Sequence, residues 1–295
     1  MPSEIRVNVP QFWDQGYLLI RDVFSKAEVE DFRRLVLENP QWQCDLLSHP
    51  RLRKALLDDR VLSIAAQILG VTPVYYGDSN FTIGPATYFF HKDNADRSDD
   101  NAPDWKGPYT QIRFGVYLQE HARHSGGLRV IAGSHNSVSN PSGKRVNLRT
   151  RVGDLIVWNL RTDHTGAATL LRLLPWVCAE QRQTSRWNSR YLVRLNRPFP
   201  MIVPRFLLAD DGPERAALFF SLGQEDAHLE RYLSYMKTRT YAVEKWKNSE
   251  YGPDVWDAVR GKNIKVIDVG EEIRRRLAEG DTSLGVSKGY AAIPY

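Results

Sequence analysis

The sequence predicts a mainly β protein with flanking helices, an α+β arrangement around a jelly roll of two facing antiparallel sheets. Three observations carry that prediction. Residues 74–222 break into short β-branched and aromatic runs cut by Gly, Asp and Ser turns, the texture of strands. Residues before 70 carry capped amphipathic helical patterns. After residue 225 the chain turns polar and shows a helical apolar stripe.

Taken in order, Phe12-Trp13-Asp14-Gln15 reads as a short helix, Gly16 as its stop and Tyr17-Leu18-Leu19-Ile20 as a strand. Ser25 and Glu28 have capping-box spacing and open a helix with Val29, Phe32, Val36 and Leu37 on one stripe. A second helix is predicted over 52–69, with Leu56, Ile64 and Ile68 on its apolar side and Gly70 ending it. Asp78, Asn80 and Thr82 alternate with Phe81 and Ile83, so the polar three share one face of a strand. Strands follow over 111–118, 128–131, 155–158 and 216–222, with turns at Ser125-Gly126-Gly127 and Gly153-Asp154. Between 167 and 212 the pattern loosens into a lid-like insertion. Beyond it, Leu229, Tyr232, Leu233 and Met236 form a helical stripe. No internal repeat or clean linker divides the chain. The expectation is one domain over 1–295: helices over 10–70, a jelly-roll core over about 74–222 and helices over 225–280.

Composition sets the broad class. With 295 residues, 42% hydrophobic and 25% charged, the chain can bury a sizeable core. A net charge of +5 and a pI near 9.1 suit an anionic ligand but are too small to argue for nucleic acid. Two cysteines, Cys44 and Cys178, without a Cys-x-x-Cys motif, fit a reducing compartment. Met1-Pro2-Ser3-Glu4-Ile5-Arg6 lacks the pattern of a signal peptide, and no apolar run is long enough to span a membrane. A cytoplasmic location is expected.

The chemistry concentrates in Tyr88-Phe89-Phe90-His91-Lys92-Asp93. In an extended strand, residues two apart leave the backbone on the same face, so His91 and Asp93 converge on one point. A further histidine would complete a 2-His-1-carboxylate facial triad, the set that binds Fe(II) and leaves positions open. His164, in Asp163-His164-Thr165-Gly166, is the candidate. His135 ends a Gly-Ser-His turn and is read as structural. His121 and His124 fall in a polar stretch and are read as solvated.

The order of five pieces resembles the phytanoyl-CoA dioxygenase family of Fe(II)/2-oxoglutarate-dependent oxygenases. The pieces are Phe12-Trp13-Asp14-Gln15-Gly16-Tyr17, Phe90-His91-Lys92-Asp93, residues 125–135, Gly153-Asp154-Leu155-Ile156-Val157-Trp158 and Asp163-His164-Thr165-Gly166. Together with the strand over 216–222 they span roughly residues 12–222. The resemblance implies a double-stranded β-helix (jelly roll, cupin-like) core with iron on His91, Asp93 and His164. It also implies 2-oxoglutarate as co-substrate and O2 as oxidant. Asp93 retains the carboxylate that related iron halogenases replace with a small residue, which favours oxygenation. In the family, an arginine about one strand beyond the second histidine binds the distal carboxylate of 2-oxoglutarate. Arg172 comes eight residues after His164 but beside a loose stretch, whereas Arg215 opens a convincing strand, so Arg215 is the choice. Asn80, Thr82, Gln111 and Arg113 are further candidate contacts for 2-oxoglutarate or substrate.

The expected activity is hydroxylation, or another oxidation, of an aliphatic C–H in a small anionic or polar metabolite, with release of succinate and CO2. Eleven arginines between Arg145 and Arg205, interleaved with Trp176, Trp187, Tyr191 and Phe199, suggest a lid suited to anionic groups. With the apolar stripe 170–177 they also allow peripheral contact with an anionic membrane, and hence a lipid or membrane-borne glycoconjugate as substrate. The rival from another class is a jelly-roll binding protein without catalysis.

Overall fold

The computed structural model describes residues 5–84, 89–138, 143–183, 189–193 and 201–287. Tyr88, Trp187 and Phe199, named above, and Arg186, Arg194 and Arg197, counted among the eleven arginines, lie outside the described residues.

Helix α1 (Val9–Gln15) is capped by the Asn8 side chain and ends at Gly16, whose φ of 81° turns the chain into strand β1 (Tyr17–Ile20). A side chain at Gly16 would also strike His135 and Thr162, so both backbone freedom and close approach select glycine. The Ser25–Glu28 capping box forms and opens α2 (Lys26–Glu38). That helix buries Val29, Phe32, Leu35 and Val36, while Leu37, placed on the stripe above, faces outward. The helix predicted over 52–69 is two helices. α3 (Arg53–Leu56) stops at Leu57, and Asp58, accepting from the Arg60 N–H, restarts the chain as α4 (Asp59–Leu69), which ends at Gly70. An N-cap aspartate inside an apolar run outweighs the run's continuity.

The β region comprises β2 (Val74–Tyr75), β3 (Ser79–Ile83), β4 (Gln111–Tyr117), β5 (Gly127–Ile131), β6 (Arg145–Asn147), β7 (Leu155–Asn159), β8 (His164–Leu170), β9 (Cys178–Gln183), β10 (Ser189–Val193), β11 (Met201–Val203) and β12 (Ala216–Gly223). After it come α5 (Ala227–Lys237), α6 (Thr240–Asn248), α7 (Pro253–Val259), β13 (Lys265–Val266) and α8 (Val269–Ala278). One sheet runs β1-β7-β4-β12-β2-β13 with β3 also on β12; the other runs β11-β10-β9-β8-β5-β6. Apart from the parallel β13–β2 pair, the ladders are antiparallel. This is the expected jelly roll, and the loosely patterned stretch 167–212 lengthens its second sheet through β8 to β11.

Alternation assigns the faces. Phe114, Val116, Leu155, Val157, Leu218 and Phe220 pack against helices α2 and α4. Tyr117, Ile156, Trp158 and Ala217 point the other way and meet Leu128, Val130 and Leu148 from the facing sheet. Each fully buried side chain of this size contributes about 1.5–3 kcal/mol, so a one-residue slip in β4 would expose its whole helix-facing set. Helices α5, α6 and α8 form a third packed layer around Tyr76, Tyr109 and Trp246. Among the described residues, no helix is long and apolar enough to cross a membrane.

Candidate metal centre

The two segments that carry the proposed ligands are bonded to each other. His91 N–H donates to His164 C=O, and His164 N–H donates back to His91 C=O, both at 3.0 Å. Asp93 N–H donates to Leu160 C=O at 2.9 Å, which fixes the carboxylate end of the same segment. The result brings one ligand atom from each of His91, Asp93 and His164 to within 4.8 Å of the others. His164 Nε2 lies 3.5 Å from Asp93 Oδ2, and His91 Nε2 lies 3.9 Å from Asp93 Oδ1.

The histidine tautomers follow from their backbone partners. His91 Nδ1 is 3.1 Å from Phe89 C=O, and His164 Nδ1 is 3.0 Å from Thr162 C=O. A carbonyl oxygen only accepts, so Nδ1 carries the proton in both rings and the Nε2 lone pairs face the site. Burial, reinforced by His91 nearby, lowers His164 to about 4, so its ring is neutral near pH 7. Two imidazole nitrogens and one carboxylate, gathered at one side of a hollow, are a donor set suited to a ferrous ion.

Two ion pairs hold this set from behind. Lys92, between His91 and Asp93, points away from the site and is wholly buried, as is its partner Asp163 at 2.9 Å. Lys92 also donates to the carbonyls of Ser134 at 2.6 Å and Arg161 at 2.7 Å. Burial pulls the ammonium down to about 8 against the opposing pull of Asp163. Thus the residue between the first two ligands pairs with the residue preceding the third. Sequence reasoning missed this pair although alternation signals it: if His91 and Asp93 face the metal, Lys92 faces the interior and needs an acid there.

Arg113 on β4 makes the other pair. Its guanidinium donates to Asp93 Oδ2 at 2.7 Å and Asp78 Oδ2 at 2.5 Å. Asp78 also accepts from Ser221 at 2.7 Å and Tyr232 at 2.9 Å, with Lys245 at 3.4 Å. Burial alone would raise the Asp78 carboxyl; Arg113 and then Lys245 outweigh it and hold it well below the usual carboxylate range. Arg113 therefore engages Asp93 through Oδ2, while α5 and α6 reach the site through Asp78.

The ligand atoms open into a cavity of about 270 Å³ whose polar rim includes Asn80, Thr82, Arg113 and Arg215 and whose apolar wall includes Leu128, Trp158 and Phe219. Arg215 is 7% exposed. It donates to Gly126 C=O at 3.1 Å, Thr82 Oγ1 at 3.1 Å and Gly84 C=O at 3.3 Å, and lies 5.3 Å from the Tyr117 ring centre. All these acceptors are neutral, and no carboxylate pairs with Arg215 among the described residues. A buried guanidinium without a counter-charge is a receptor for an anionic group.

Several expectations need correction. Gln111 is buried but turns from the cavity, donating to Thr110 Oγ1 at 3.2 Å and Gln224 C=O at 3.1 Å. Arg172, passed over above in favour of Arg215, is exposed, with its backbone N–H on Leu207 C=O, and does not line the cavity. His121, read as solvated, is buried; its Nδ1 is 2.8 Å from Ser125 C=O, and burial lowers it to about 4. The signal lay in Gly126-Gly127: a Cβ at Gly127 would come within 3.0 Å of the His121 side chain. Arg161, grouped above with lid arginines, is buried against Trp105 and Tyr109. His135 is structural as expected, its Nε2 2.9 Å from Trp13 C=O, and His124 pairs with Asp210 at 2.7 Å.

No model of a known protein family matches the chain, and no curated protein matches it. Solved structures that resemble it include HygX from Streptomyces hygroscopicus with nickel and 2-oxoglutarate bound, at 16% identity over 75% of this chain and 88% of that one, TM-score 0.49. EctD from S. alaskensis with 2-oxoglutarate and 5-hydroxyectoine shares 16% identity over 75% and 79%, TM-score 0.46. SnoK, a non-heme alpha ketoglutarate dependent carbocyclase from nogalamycin biosynthesis, shares 17% over 76% and 89%, TM-score 0.46. These likenesses are faint.

Proposed function

We propose that residues 1–295 act as one catalytic unit, an Fe(II)/2-oxoglutarate-dependent oxygenase of the phytanoyl-CoA dioxygenase type. It would hydroxylate, or otherwise oxidise, an aliphatic C–H of a small anionic or polar metabolite in the cytoplasm, releasing succinate and CO2. The observation that carries the reading is one cavity with His91, Asp93 and His164 on one side and the uncompensated Arg215 on another. A metal triad alone suits many ions; a triad sharing a small cavity with a buried guanidinium suits a chelating dicarboxylate.

Each residue has a role in this reading. His91 and His164 present Nε2 to the site, and Asp93 offers its carboxylate. A ferrous ion with 2-oxoglutarate supplies, in the presence of O2, the oxidising power for C–H cleavage. Arg215 holds the distal carboxylate, and the Thr82 hydroxyl, already accepting from Arg215, keeps its own proton to donate to the same anion. Trp158, Phe219 and Leu128 keep water from the wall. Gly166 and Arg215 also border a second, polar cleft of about 610 Å³, whose floor of Ala167 and Ala168 leaves room for substrate.

Anaerobic titration of the purified protein with Fe(II) and then 2-oxoglutarate tests this directly. The expected result is the weak visible charge-transfer band of the chelate, absent in H91A and H164A. Folded, metal-loaded protein that gives no band would instead support a jelly-roll binding protein without catalysis.

A further inference from the structure

The lengthened second sheet differs in charge from the rest of the chain. Residues 171–208 hold seven of the 40 basic residues and one of the 35 acidic ones, a net charge of +6. The remaining 257 residues together carry −1. The same stretch exposes large apolar side chains: Leu173 is 79% exposed, Trp176 63%, Ile202 59% and Phe206 69%.

These side chains belong to one folded patch. Leu171 bridges to Leu208, and Arg172 N–H donates to Leu207 C=O at 2.8 Å, which sets the β8–β9 turn beside residues 205–208. The β10–β11 ladder places Leu192 opposite Ile202. Ala179, Val193 and Val203 fill a small core of their own, so alternation sends Val203 inward and Ile202 outward. The patch continues into the polar cleft, which Tyr191, Arg205 and Leu208 help line and which shares Gly166 and Arg215 with the metal-site cavity.

We propose that this face docks on an anionic lipid bilayer. Leu173, Trp176 and Phe206 would enter the interfacial layer, where tryptophan is favoured, while Arg172 and Arg205 meet headgroup phosphates. Charge and apolarity together select this occupant. A nucleic acid would match the charge but leave the leucine and phenylalanine side chains uncovered. A second copy would cover them but set Arg172 and Arg205 against cations of the same kind. Docking turns the mouth of the cleft toward the membrane, so in place of a free metabolite the substrate becomes an amphiphile whose anionic or polar head enters the cleft. That last step rests on the oxygenase reading, whereas docking does not.

Co-sedimentation of the full chain, without added metal, with phosphatidylserine-containing and with phosphatidylcholine-only vesicles tests the docking. The chain is expected to sediment with the anionic vesicles alone and to be released as salt shortens the screening length. R172Q and R205Q should each weaken binding about fivefold. L173S/W176S should weaken it at least about tenfold with an unchanged melting temperature, since both side chains are already in water. H91A should bind as the parent protein does. Failure to sediment with anionic vesicles, or equal binding by L173S/W176S, would overturn the docking even if the Fe(II)–2-oxoglutarate band forms. So would a lipid-free dimer that L173S/W176S dissociates, or binding to duplex DNA without binding to vesicles.

Discussion

Arg113 lies on β4 and Arg215 immediately precedes the neighbouring strand β12; both line the same cavity, yet their surroundings are opposite. Arg113 is enclosed by acids, with Asp93 at 2.7 Å and Asp78 at 2.5 Å. Among the described residues, Arg215 donates only to a hydroxyl and two carbonyls. One guanidinium has its counter-charges built into the fold; the other is left to find one. The same residue type thus serves first to fix a metal ligand and then to bind an anion, and the partners alone tell the two uses apart.

The largest effect should come from the saturated arginine. R113Q leaves Asp78 buried with Lys245, Ser221 and Tyr232 around it, and releases the Asp93 Oδ2 that Arg113 holds. Stripping one partner from such a pair is expected to cost about 2–4 kcal/mol of stability. Calorimetry should then show Tm falling by about 5–10 °C. The double variant R113Q/D78N, which removes both charges, should regain most of the loss. Equal melting of the single and double variants would mean that the pair does not hold this part of the fold.

Removal of the unsaturated arginine should leave the fold alone and cost ligand instead. R215Q is expected to weaken 2-oxoglutarate binding to the metal-loaded protein by about 30–150-fold, the equivalent of ~2–3 kcal/mol for a charge-assisted pair. Its Tm should stay near that of the parent protein, because a buried cation without a counter-charge is costly to keep. R172A should change neither quantity. If R172A weakened 2-oxoglutarate and R215Q did not, the comparison would have named the wrong cation. Isothermal titration under anaerobic conditions reads both variants.

What the sequence revealed of this arrangement depended on range. Local signals were legible: the Gly16 stop, the Ser25–Glu28 capping box and the alternation that puts Asn80 and Thr82 on the cavity side. His91 and Asp93 were legible because strand geometry makes neighbours of residues two apart. Features set by distant packing were not. Leu35 and Leu37 sit on opposite flanks of the stripe defined by Val29, Phe32 and Val36, and periodicity cannot choose between them; the packed layer buries Leu35. His121 lies among polar neighbours and reads as loop, yet two glycines let the chain close over its ring. The pairing of Arg113 on β4 with Asp78, just before β3, joins segments that meet only through β12, so nothing in either local pattern announced it.

The smallest effect bears most finely on Arg215. Thr82 Oγ1 accepts from its guanidinium at 3.1 Å, so the hydroxyl proton is free to point at whatever anion Arg215 holds. T82V keeps the shape of the side chain and removes both halves of that relay. The arginine retains its two carbonyl partners, so the fold should be indifferent, and 2-oxoglutarate binding should weaken by about 2–10-fold, or ~0.5–1.5 kcal/mol. T82S, which keeps the hydroxyl, should bind as the parent protein does. A loss in T82V as large as that in R215Q would shift the anion's main contact from the guanidinium to the hydroxyl. An unchanged affinity would mean that Thr82 positions nothing and that the two carbonyls alone aim the arginine.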